Sequence, residues 1–392
     1  MLRPTLELAD ILRQHGPAYR QAHALPVHQH QLMRAIETCR TAALGGHVEQ
    51  CDHCQHTRNS YNSCRNRHCP KCQGKARDKW LADRRAELLP VEYFHVVFTL
   101  PQAIAAIAYH NKAVVYDLLF RAVAATLLTI ARDPKHLGAE PGFFAVLHSW
   151  GQTILHHPHL HCVVPGGGLS PDRKRWVRCR PGYCLPVKVL SALFRRLFVE
   201  SLEQAYQQGK LQFFSELEPL HHPPAFAAYL KRIRSRKWVV YAKAPFGGPE
   251  QVLAYLGRYT HRVAISNQRL RSLQDDKVTF DWRDYRDHNR SKTMTLEAEE
   301  FIRRFLLHAL PPRFQRIRHY GFLANVHRRQ NIALCRELLT TDPTQLLPEI
   351  TPTDRDEVIL EEPQLCPVCR VGWMIRIERL LPFSRPERVD SS

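Results

Sequence analysis

The stretch HHPHLHCVVPGGG, residues 156–168, places two imidazoles, His159 and His161, one residue apart. On an extended strand successive side chains alternate faces, so these two share one face while Leu160 turns to the other. Two neutral imidazoles on one face are a ready pair of metal ligands. Cys162, Val163 and Val164 supply the apolar continuation of a buried strand, and Gly166, Gly167 and Gly168 end it in a turn. A chain with 23 His also produces such pairs by chance, so the pair needs support from its surroundings.

Upstream, GFFAVLHSWGQTIL (142–155) reads as a strand that turns through His156, His157 and Pro158 into the histidine strand. FHVVFTL (94–100) is an earlier buried strand ended by Pro101, and KAVVYDLLFRAVAATLLTIAR (112–132) is the longest apolar run at helical spacing, a core helix. Strand, helix, strand, short turn, strand predicts an antiparallel sheet covered by helices on one face, an α+β fold. Downstream come a short strand near RWVRC (175–179), a helix over 187–207, a strand at 238–242, strands in RVAIS and KVTFDWRDY, and a helix in FIRRFLLHAL. Residues 1–47 read as helices broken near Pro17 and Pro26. The expected division is 1–90, helical and cysteine-bearing; 91–340, the sheet domain; and 341–392, an acidic, proline-rich linker with a terminal tail.

Two histidines leave a magnesium or manganese ion loosely held, and a third ligand is expected from the preceding strand. Gln152 can offer an oxygen from across the turn, with His156 and His157 as its rivals. PEQVLAYLGRYTHR begins with Pro249 at a first helical position and predicts a helix to about Tyr259. Tyr255 and Tyr259, four apart, share one face of it. A phenol with a pKa near ten attacks phosphorus only when the electrophile is strongly activated, which a metal held by imidazoles can do. Spacing alone does not select this pair, because Tyr241, Tyr285 and Tyr320 are equally visible phenols.

Twelve cysteines in a long chain, half of them in C-x-x-C pairs, suit metal thiolates better than a disulfide framework. In CDHCQHTRNSYNSCRNRHCPKC, Cys51 and Cys54 form one knuckle and Cys69 and Cys72 a second, a spacing that predicts a zinc ribbon. Cys64, His68, His47 and His53 are near enough to substitute or to hold another ion. Cys366 and Cys369 form half a knuckle with no evident second half; Cys335 is one conceivable partner.

The chain has 392 residues, 44% of them apolar, enough to bury a sizeable core. Its 56 Lys and Arg against 37 Asp and Glu give +19, a field that favours a polyanion such as DNA. Arg65, Arg67, Lys71 and Lys75 surround the cysteine knuckles; Arg232, Arg236 and Lys237 lie in KRIRSRKWVVYAK; Arg316 and Arg318 lie in FQRIRHYGFLANVHRR. All are candidate DNA contacts. No uninterrupted apolar run of membrane-spanning length and no signal peptide is evident, so a cytoplasmic protein is expected.

HHPHLHCVVPGGG, with AYLGRYTHRVAISN and RIRHYGFLAN, closely resembles the rolling-circle insertion-sequence transposases of the IS91 type, which have HUH chemistry and two tyrosines. CDHC…CPKC resembles their N-terminal zinc-binding domain, and the likeness runs from about Cys51 to Leu334. The resemblance implies an HUH-type core, catalytic metal at His159 and His161, nucleophiles at Tyr255 and Tyr259, and zinc at Cys51, Cys54, Cys69 and Cys72. It also implies cleavage of single-stranded DNA through a 5′-phosphotyrosine that leaves a free 3′-hydroxyl. A plasmid replication initiator or relaxase shares that chemistry, although no P-loop of a relaxase-helicase is present. A non-catalytic zinc-ribbon regulator would leave the histidines and tyrosines unexplained.

Overall fold

The computed structural model describes residues 6–182, 184–243, 251, 257, 264–285, 287–340 and 364–383, with backbone alone for 75–77 and 243. The chain is α+β, built on an antiparallel sheet. Its strands are β3 (Tyr93–Thr99), β4 (Glu140–Trp150), β5 (His156–Pro165), β6 (Gly167–Leu169), β7 (Trp176–Arg178), β8 (Val239–Lys243) and β12 (Ile317–Gly321). They lie in the order β7-β6-β4-β5-β3-β8, with β12 added along β4.

Alternation sorts the residues of the three central strands into two layers. Val96, Phe98, Phe143, Ala145, Leu147, Leu160, Cys162 and Val164 face the principal core. Covering this face are α4 (Gln102–His110), α5 (Lys112–Arg132), α6 (Val187–Gln207) and α7 (Pro223–Ser235). Helix α5 is long and apolar enough to cross a membrane, but most of it is buried against the sheet, as expected of a core helix. On the opposite face Tyr93, Phe144, Val146 and Val163 pack beneath Trp80 and Leu81 of α3 (Gln73–Ala86), and the histidines occupy the rest.

A second core joins segments distant in sequence. Helices α1 (Leu8–Ala22) and α2 (Val27–Thr38) pack through Leu8, Ile11, Leu12, Leu32, Met33 and Ile36. Against them lie α8 (Ala298–Leu307) and the meander β9 (Leu270–Gln274), β10 (Lys277–Asp284) and β11 (Arg290–Glu297). Helix α1 runs through Pro17 rather than breaking there, and the break comes at Pro26. An interior proline costs about 3 kcal/mol, whereas each buried Leu or Ile on α1 returns about 1.5–3 kcal/mol.

The third sheet brings the two ends of the chain together. It has the order β13-β1-β2, from β13 (Met374–Leu380), β1 (Gly46–Cys51) and β2 (Thr57–Tyr61). The terminal tail therefore pairs with the N-terminal cysteine region, while α9 (Arg328–Thr340) closes a small cluster with Leu89 and Phe322.

Candidate metal centre and nucleic-acid interface

His159 and His161 stand on one face of β5, as the alternation requires, and each is partly exposed. Directly across the ladder, His148 of β4 pairs with His159, and Val146 pairs with His161. Paired residues of antiparallel strands share a face, so the buried His148 joins the two. One ligand nitrogen from each of the three rings lies within 4.8 Å of the others. The His148 ring centroid is 4.2 Å from that of His161 and 5.4 Å from that of His159.

The surroundings fit a metal site. His159 Nδ1 lies 2.6 Å from the His157 carbonyl, to which it can only donate, so Nε2 keeps its lone pair. His161 Nδ1 lies 2.7 Å from Nε2 of His95 on β3, a contact in which Nδ1 as donor places the His161 lone pair on Nε2. Burial pushes His159 down to about 4 and, with the adjacent His148, His159 and His95, holds His161 well below the ordinary imidazole value. Neutral imidazoles at physiological pH are the form that binds a cation.

The side chain that the geometry sets beside His159 and His161 is His148, not Gln152. Gln152 lies in the turn beyond β4, where its amide donates to the Tyr285 hydroxyl at 2.9 Å and its Oε1 accepts from the Arg283 N–H at 3.4 Å. His156 points into the helix-side core, bonded to the Tyr116 hydroxyl at 2.8 Å. The sequence shows His148 on a strand but not the register that sets 148 opposite 159, which the pairing of 142–155 with the histidine strand supplies.

Tyr255 and Tyr259 lie outside the described residues. Gly257, between them, is described and buried, and a Cβ built on it would stand 2.6 Å from the Leu81 side chain of α3. Since Leu81 and Trp80 cover the apolar end of the histidine face, residue 257 packs on that side of the sheet.

The predicted cysteine quartet divides between two clusters. Cys69 and Cys72 gather with Cys39 and Cys64, whereas Cys51 and Cys54 gather with Cys366 and Cys369. In the first cluster, Cys39 caps the C-terminus of α2, Cys72 caps the N-terminus of α3, and Cys72 Sγ is 3.4 Å from Cys39 Sγ and 3.5 Å from Cys64 Sγ. A tetrahedral zinc with bonds of about 2.3 Å sets its sulfurs roughly 3.8 Å apart, so the spacing fits zinc thiolates. His68 is no ligand here, because its Nε2 accepts from the Leu310 N–H at 3.1 Å. Cys335 is packed in the small core beside α9.

Several predicted DNA-contacting cations are committed internally. Arg67 donates to the carbonyls of Phe314 and Pro311 at 2.5 and 2.7 Å, and Lys71 pairs with Glu7 at 2.5 Å. Arg318 stacks 4.3 Å above the Phe120 ring and pairs with Asp117 at 2.8 Å. Arg316 is partly buried, and burial draws it down to about 10. Arg65, Arg232, Arg236 and Lys237 are exposed, and the Lys75 side chain lies outside the description.

Comparison with known proteins accords with both halves of this arrangement. Residues 142–331 match a family model described as "Putative transposase", and residues 11–100 match one described as "Transposase zinc-binding domain". The chain is 61% identical over 393 residues, covering 99% of each chain, to "Putative transposase y4qJ" of Sinorhizobium fredii. It is 27% identical over 293 residues, covering 73% of this chain and 68% of the other, to the "Transposase for insertion sequence element IS801" of Pseudomonas savastanoi pv. phaseolicola. No solved structure matches it. The zinc-binding domain together with the cysteine clusters supports structural zinc. The chain belongs to the IS91-type transposase family, with an N-terminal zinc-binding domain.

Proposed function

We propose that this transposase cleaves and rejoins single-stranded DNA at insertion-sequence ends by tyrosine attack, and that it moves its element by a rolling-circle route. The observation that carries this reading is the convergence of His148, His159 and His161 on one sheet face, with His95 and the His157 carbonyl orienting two of the rings. These three imidazoles would hold a divalent cation, and a nitrogen set favours manganese over magnesium, which prefers oxygen. Such an ion would supply the Lewis acidity that activates a phosphodiester toward attack.

Tyr255 and Tyr259 are the nucleophiles in this reading. A phenolic oxygen forms the bond to phosphorus as the 3′-oxygen leaves, giving a 5′-phosphotyrosine. The proton lost by the phenol is matched by one gained at the 3′-hydroxyl, and because the phosphodiester's energy is retained, rejoining needs no ATP. Two phenols let one DNA end stay attached while a second strand is cut. Gly257, between them in sequence, lies against Leu81 on that side of the sheet, which supports this reading. Cys39, Cys64, Cys69 and Cys72 hold the structural zinc of the N-terminal domain, and Arg65, Arg232, Arg236 and Lys237 offer exposed charge to phosphates.

The test is a single-stranded oligonucleotide carrying the element's end, incubated with the full chain and manganese or magnesium. A covalent adduct at the 5′-phosphate end created by the cut is expected, with a free 3′-hydroxyl on the other fragment, and the double variant Tyr255→Phe, Tyr259→Phe should abolish it. An adduct surviving in that variant overturns the nucleophile assignment.

A further inference from the structure

Cys366 and Cys369 lie beyond the zinc-binding family match, which ends at residue 100. Cys366 meets Cys54 across 312 positions of sequence, and Cys369 meets Cys51 across 318. Cys54 Sγ is 3.6 Å from Cys366 Sγ, and Cys51 Sγ is 3.6 Å from Cys369 Sγ. A disulfide requires about 2.05 Å, whereas the edge of a zinc tetrathiolate is roughly 3.8 Å. We infer that Cys51, Cys54, Cys366 and Cys369 form a second zinc site, which fastens the C-terminal strand β13 to the N-terminal hairpin β1–β2.

The two knuckles are built alike, although one lies near each end of the chain. In the first, the His53 N–H donates to Cys51 Sγ at 3.4 Å; in the second, the Val368 N–H donates to Cys366 Sγ at 3.4 Å. The Gln55 N–H reaches the Cys51 carbonyl at 3.1 Å, and the Arg370 N–H reaches the Cys366 carbonyl at 3.0 Å. Gln55 and Arg370, each directly after its second cysteine, both adopt left-handed backbone, with φ of 59° and 58°. Amide donors aimed at sulfur stabilise the thiolate, the form that binds metal.

The halves also interlock beyond their sulfurs. The Trp373 N–H donates to Asp52 Oδ1 at 2.7 Å, and the Asp52 N–H donates to the Trp373 carbonyl at 3.1 Å. Gly372 lets the loops approach this closely: a Cβ there would stand 2.4 Å from Asp52 Oδ1 and 2.6 Å from Cys51 Sγ. Beyond its backbone ladders and polar contacts, the buried centre of this sheet among the described residues is Cys51, Cys366 and Met374. A metal therefore supplies the order that an apolar core supplies elsewhere.

The inference does not depend on the cleavage reading and is tested without DNA. Zinc and iron are measured by elemental mass spectrometry in the purified full chain, in Cys366→Ser/Cys369→Ser and in a chain ending at Thr340. Two zinc ions per chain are expected in the first, and one in each of the others. One zinc throughout, or iron in place of the second zinc, overturns it. A measurement on the unsubstituted chain covers the case of a variant that fails to fold. Alkylation mapped by mass spectrometry should find Cys51, Cys54, Cys366 and Cys369 protected together and released together by chelator. Rapid alkylation of Cys366 and Cys369 while Cys51 and Cys54 stay protected overturns it equally.

Discussion

The histidine cluster and the Cys51–Cys369 cluster both gather side chains of the kind that hold metals, but they are assembled in opposite ways. His148, His159 and His161 come from two adjacent strands whose ladder, core and neighbouring β3 hold them in place. The four cysteines come from knuckles on a three-stranded sheet with almost no apolar centre. The difference teaches where order comes from: the sheet presents its histidines ready-made, whereas the inferred zinc would order the knuckles.

Chelation should separate the two most sharply. After zinc removal, hydrogen exchange in β1, β2 and β13 is expected to lose its protection, while β3, β4 and β5 keep theirs. Equal loss in both sheets would break the comparison. Next in size, His159→Ala should slow DNA cleavage by about 1,000-fold at limiting metal, since metal polarisation contributes several kcal/mol and each 1.36 kcal/mol is tenfold. An unchanged rate counts against the site, and unaltered exchange in β3–β5 shows that the scaffold survived.

The third position sharpens the comparison further. Manganese titration should find His148→Ala weaker by about 100-fold, and Gln152→Ala unchanged within roughly twofold. The reverse order would restore Gln152 as the ligand. The smallest expected loss is at His95, which acts through His161: His95→Ala should weaken the ion about 10-fold, within the range for orienting partners. Cleavage should recover at saturating manganese, a rescue that disruption of the fold would not allow.

Regular elements were legible because their periodicity is local. Helices α5 and α6 and strands β3 and β5 fall where the apolar spacing puts them. Helix α3 was hidden by its charge: QGKARDKWLADRRA buries Trp80 and Leu81 on a narrow stripe and reads as a basic surface. His159 and His161 followed from alternation within one strand. His148 did not, because a partner's register depends on how the turn at 151–155 closes, and Gln152, nearer in sequence, falls off the strand there. The cysteine quartet misled for a related reason: nearness in sequence joined Cys51 and Cys54 to Cys69 and Cys72, while packing gave each pair different company.

The basic residues draw the same line. Charge composition alone predicts a polyanionic partner, since a net charge acts at a distance whatever the fold. Which cations remain for DNA is decided by contacts, and Arg67 and Arg318, indistinguishable in sequence from Arg232 and Arg236, are spent on carbonyls, an aromatic ring and Asp117. The sequence by itself determined the α+β class, the histidine pair and the family, because these rest on patterns a few residues long. Only the tertiary structure decided the third histidine, the partition of the cysteines and the meeting of the chain's two ends, because each joins residues whose distance in space bears no relation to their distance along the chain.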